Sequence, residues 1–96
     1  MTKKSFQDHY PDHTAHCYGC GRLNYAGHQL NSYWEGDESV ARFTPDPKHI
    51  AIPGYVYGGL LASLIDCHGT GTAAAAAYRA EGREMDTEPS HRFLTG

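Results

Sequence analysis

Basic residues are scarce in this sequence, and their scarcity sets aside two classes of partner. Lys and Arg number 8 against 11 Asp and Glu, a net charge of −3. No positive stripe of the kind that holds nucleic acid or an anionic lipid surface is present. Cysteine is equally sparse. Three cysteines in 96 residues, an odd number, fit reduced thiols rather than a disulfide framework. No apolar run follows the lysines of Met1-Thr2-Lys3-Lys4-Ser5-Phe6, so the start is not a secretory signal and a cytoplasmic chain is expected. Internal repeats are absent, and the length allows one domain.

Long apolar segments are missing too, with one exception. Ile52 to Thr72, followed by five alanines, is the stretch around which the rest can be placed. Pro53-Gly54 reads as a turn, Tyr55-Val56-Tyr57 as a short extended piece, and Gly58-Gly59 as the entry to a helix running to about Arg79. Leu60, Leu61, Leu64 and Ile65 form an apolar stripe at spacings of three and four, and Ala73 to Ala77 add helix propensity with little bulk. Asp66, His68 and the glycines at 58, 59 and 69 argue against a membrane span. The expectation is a helix buried in a soluble α+β domain.

Asp66 is the residue to watch on that helix. A carboxylate among leucines is costly unless it is hydrogen-bonded or reaches a cleft. In a cleft it can serve as general base or nucleophile; otherwise it accepts hydrogen bonds from a neighbouring loop or from Thr70. Gly58 and Gly59 open the helix, where N–H groups lack internal partners and can polarise a carbonyl, or they merely make a tight turn. Tyr57, just before them, could aim its hydroxyl into the same cleft. Cys67–His68 and Ser63–His68 are poorly placed as nucleophile pairs, and Cys67 reads as buried and inert. Gly69-Thr70-Gly71 lacks the strand and the acidic residue of a dinucleotide fingerprint.

Cys17-Tyr18-Gly19-Cys20-Gly21 has the C-x-x-C spacing of half a zinc site, with His16 adjacent. Structural zinc takes four ligands, and no second C-x-x-C or H-x-x-x-H follows. Two reduced cysteines in a glycine-rich turn, and no metal, are therefore expected. His28–Trp34 and Ser39–Thr44 read as antiparallel strands joined at Glu35-Gly36-Asp37-Glu38, with Pro45 and Pro47 ending the second. Gly82 suits a helix C-terminal cap. Ser90–Thr95 reads as the opening of a third strand, and residues 1–15 as a flexible arm ahead of a domain over 16–96.

These residues have a familiar arrangement. Phe43-Thr44-Pro45-Asp46-Pro47, then Pro53-Gly54-Tyr55-Val56-Tyr57-Gly58-Gly59 through Asp66, together with His16-Cys17-Tyr18-Gly19-Cys20-Gly21-Arg22-Leu23-Asn24, resemble hotdog-fold acyl-CoA thioesterases of the PaaI-like branch. The resemblance implies a long central helix wrapped by an antiparallel sheet, with active sites shared between subunits of a homodimer or homotetramer. It also implies that the Gly58 and Gly59 amides polarise the thioester carbonyl while Asp66 activates water or attacks. Tyr57, Ser63 and Thr70 are the candidate substrate-binding side chains. No cofactor is implied beyond the coenzyme A of the substrate, and no nucleic-acid or membrane partner. Two departures stand out. Tyr57 occupies the place where many relatives carry histidine, and the sheet of the family needs more strands than this chain supplies, so an incomplete, inactive domain or a ligand-binding one without turnover is the alternative.

Overall fold

The structure, a computed structural model, describes residues 3–93. Its regular elements are strand β1 (Ser32–Glu35), strand β2 (Glu38–Ala41) and helix α1 (Gly58–Ala80), preceded by 3₁₀ turns at Gln7–His9 and Asp12–Thr14. The architecture is α+β, one helix against one antiparallel hairpin. Among the described residues, no helix is long and apolar enough to cross a membrane.

The hairpin forms where alternation and turn chemistry agree. Register runs from Ser32↔Ala41 to Glu35↔Glu38, leaving Gly36-Asp37 as a two-residue turn. Gly36, at φ +66°, supplies the positive φ such turns need. The carboxylates of Glu35 and Glu38 face each other across it, and Arg42 relieves Glu35 with a bond of 2.9 Å. Both strands are shorter than the sequence suggests, because the residues before Ser32 pair elsewhere. His28 donates to the Tyr18 carbonyl and Leu30 to that of Gly19, and Gln29 takes φ 53° between them. Without Asn31 and its predecessors as partners, Arg42 to Thr44 have no ladder to extend.

Helix α1 spans 23 residues, about 35 Å. It ends where Gly82, at φ +67°, lets its own amide reach Arg79 O and that of Arg83 reach Tyr78 O. The buried face is Leu60, Cys67, Gly71, Ala74, Ala75 and Tyr78, with Leu64 half-buried. Leu61 and Ile65, expected in the same stripe, are 47% and 73% exposed. Both stripes obey the helical period, and what selects between them is which partners exist. Gly71 leaves room for the Gln7 and Tyr10 side chains, whereas the two strands do not reach around to Leu61 and Ile65.

His68 and Thr72 lie beside the buried face and tie the helix to the hairpin. His68 Nδ1 is 2.9 Å from Ser32 Oγ and Nε2 is 3.3 Å from Ser39 Oγ, while Thr72 Oγ1 donates to Ser39 Oγ at 2.9 Å. Arg79 lies over the Trp34 ring at 4.4 Å. This histidine has a packing and hydrogen-bonding role, with its ring nitrogens directed at hydroxyls of the sheet rather than at Cys67 or Ser63.

Within residues 3–15 several side chains are buried despite the polarity of the segment. Ser5, Phe6 and Gln7 are buried, and Phe6 stacks near Trp34 with ring centroids 5.2 Å apart. Phe6 N–H donates to Ser32 O, and Gln7 Oε1 accepts from Ser32 N–H at 2.7 Å. Gly71 makes room for this: a Cβ there would stand 2.9 Å from Gln7 Nε2. Gln7→Leu should therefore cost about 1–3 kcal/mol, since it leaves the Ser32 N–H buried without an acceptor. A urea melt of the variant checks this.

The expected third strand does not form over Ser90–Phe93. That segment instead turns back on the helix end, with His91 N–H donating to Tyr78 Oη at 2.9 Å. The rest of the expected strand, Leu94 and Thr95, lies outside the described residues.

Candidate functional site

The glycine-rich turn and the middle of α1 converge on one point. The turn closes through Gly21 N–H donating to Cys17 O at 2.7 Å, and the amide of Gly19 donates to Cys17 Sγ at 3.3 Å. Gly19 lies flat on the helix, where a Cβ would stand 2.3 Å from Cys67 Sγ. Only glycine permits that approach. As a result the sulfurs of Cys17, Cys20 and Cys67 all lie within 4.8 Å of one another, with 3.7 Å between Cys17 and Cys67. All three are free thiols.

Such proximity couples their protons. The Cys67 thiol is drawn down to about 7, first by its hydrogen bond with Cys20 and further by that with Cys17, against the effect of burial. Cys20 is pushed up for the reciprocal reason, holding the proton it shares with Cys67, and burial adds to it. Tyr10, packed against this cluster, is raised to about 12, mainly by burial and further by the three sulfurs. Its phenol stays protonated at neutral pH.

A cavity of about 540 Å³ opens beside the sulfurs. Cys17, Cys20, Cys67, Tyr10, Asp66 and Thr70 contribute to its wall, and residues 85–88 and 90–93 form the opposite side. This volume lies in the usual range for a small-molecule site. Asp66 is exposed on the helix at the cavity rather than enclosed by leucines. Thr70 Oγ1, one turn on, bonds back to Asp66 O at 3.0 Å.

The remaining candidates stand elsewhere on the helix. Tyr57 is the N-terminal cap residue, exposed, with its ring over Gly59. The Gly58 and Gly59 amides lie in the exposed first turn, and among the described residues neither finds an acceptor. Ser63 Oγ is turned back to Leu60 O at 2.7 Å. Asp66 comes seven residues after Gly59, roughly 10 Å along the axis. Within one chain the structure thus joins Asp66 and Thr70 at the cavity and keeps Gly58, Gly59, Tyr57 and Ser63 apart from it.

No family model, curated protein or solved structure matches the chain. The site has to be read from its own chemistry, which offers a carboxylate at a cavity, uncovered amides at a helix start, and three converged thiols. Sequence reasoning missed the third element. Cys67 was the only other cysteine and sat on the longest helix, and that was the available signal; a search for a second C-x-x-C passes over it.

Proposed function

We propose that this chain hydrolyses the thioester bond of an acyl-CoA, in a hotdog arrangement whose long helix is wrapped by an antiparallel sheet. The observation that carries the reading is Asp66, a carboxylate placed on the wall of a 540 Å³ cavity. Two further features support it. The amides of Gly58 and Gly59 are open to a ligand oxygen, and the uncovered helix face with Leu61 and Ile65 suits burial against a second copy.

In this reading Asp66 acts as general base or as nucleophile toward the thioester carbonyl. As base it takes a proton from water as the oxygen attacks. The C–S bond then breaks, and the coenzyme A thiolate leaves and takes up the proton. Charge on the carbonyl oxygen is met by the helix-terminal amides. With Gly59 roughly 10 Å from Asp66 in one chain, those amides come from the partner copy of a homodimer or homotetramer. Thr70 borders the acyl space, with Tyr57 and Ser63 contributed near the amides. Coenzyme A enters only as part of the substrate.

Release of free thiol from short and medium acyl-CoA tests the reading. Turnover is the expected result. The same separation favours a second reading, ligand binding without turnover, which is correct if a non-hydrolysable acyl-CoA analogue binds while no thiol is released.

A further inference from the structure

The structure assigns a metal site to Cys17, Cys20 and Cys67: we propose that the three sulfurs bind one zinc ion, with the fourth coordination position open to the cavity. The geometry argues for this over the alternatives. Two thiolates on a tetrahedral zinc, each about 2.3 Å from the metal, stand about 3.8 Å apart. Cys17 and Cys67 stand at 3.7 Å, and Cys20 lies within 4.8 Å of both. A disulfide would need the sulfurs at about 2.0 Å.

Two supporting features are built into the turn. The Gly19 amide donates to Cys17 Sγ at 3.3 Å, a contact that helps fix where that sulfur sits. The absent side chain at Gly19 is what lets the turn sit on Cys67 at all. Thiolate-rich sets select soft or borderline ions, zinc among them, over calcium or magnesium. Among the described residues no fourth His, Cys or carboxylate joins the cluster. The three sulfurs border the cavity, so water or a ligand atom completes the tetrahedron from that side. Three protein ligands with an exchangeable fourth position is the pattern of zinc sites that act on ligands rather than only hold a fold.

This site stands apart from the hydrolysis reading, because its test measures metal and not turnover. The full chain, purified under reducing conditions and desalted, is assayed for zinc, then loaded with Co²⁺. One zinc per chain is expected, as are sulfur-to-cobalt charge-transfer absorption and the intense visible bands of a tetrahedral ion. A small exogenous thiol should shift those visible bands by entering the fourth position. Gly19→Ala, which keeps every thiol, should weaken zinc binding by roughly 10–100-fold, the range for loss of support around a ligand. Cys67→Ser should weaken it further. Failure of the unaltered chain to take up zinc or cobalt overturns the proposal. So does undiminished binding in Cys67→Ser, which would place the metal on the histidines. Should Cys67→Ser not fold, the cobalt spectrum of the unaltered chain decides: three sulfur ligands support the site, and fewer overturn it.

Discussion

Asp66→Asn should lower the proposed acyl-CoA hydrolysis by roughly 10²–10⁴-fold, the usual contribution of a general base. The substitution keeps the size and shape of the side chain and removes its capacity to accept a proton. Asp66 is exposed at the cavity, and any change in stability is read apart from the rate. Steady-state thiol release and a thermal melt, measured on the same preparation, separate the two effects. A loss in kcat far larger than any shift in the melt accounts for is the expected pair. If Asn turns over as fast as Asp, the carboxylate takes no part in the chemistry.

Gly58→Pro should disable the second half of the proposed machinery, because proline has no backbone N–H. Proline is well tolerated at the first position of a helix, where its missing N–H has no internal partner to lose. Tyr57 already holds φ −63° and ψ 128°, the extended conformation that the residue before proline requires. Nothing lies within 4 Å of the point where a Cβ would appear at Gly58. The helix should therefore form as before, while the donor proposed for the developing oxyanion is lost. Removal of one such donor costs about 10²–10³-fold in kcat. Far-ultraviolet circular dichroism verifies the helix, and the rate gives the effect.

The legible parts of this chain were those where local chemistry and periodicity agree. Gly58-Gly59, the apolar positions after them and the alanine run indicated α1 nearly to its last residue, and Gly82 was readable as its end. The Gly36 turn was readable because two aromatic, β-branched runs flank it. Tertiary partners decided the rest. Leu61 and Ile65 look like core by hydropathy, yet Gly71, Ala74 and Ala75 face inward, and Gln7 and Tyr10 occupy the space that Gly71 leaves. The segment His28–Asn31 has strand composition but pairs with Tyr18 and Gly19, a contact that no spacing in the sequence announces. Polarity also hid the packing of residues 3–15, whose buried Ser5 and Gln7 side chains bond to Asn31 and Ser32, some 25 positions away.

The candidate site divides in the same way. Asp66 could be singled out because a carboxylate inside an apolar helix asks for an explanation, and the paired glycines because a helix start offers free donors. Cys67 carried no such signal, since a cysteine among leucines and alanines is ordinarily just a small apolar side chain. Its meaning comes from Gly19, far earlier in the chain, which clears the space for the turn.

The central claim is that Asp66 of one copy works with the glycine amides of another. A mixed dimer tests it most directly: Asp66→Asn and Gly58→Pro chains carrying different tags are co-expressed, and the species holding both tags is isolated. One of its two sites combines both defects and the other has neither. The account predicts about half of the unaltered rate per dimer, although each parent is nearly inactive. A mixed dimer as inactive as its parents would contradict it.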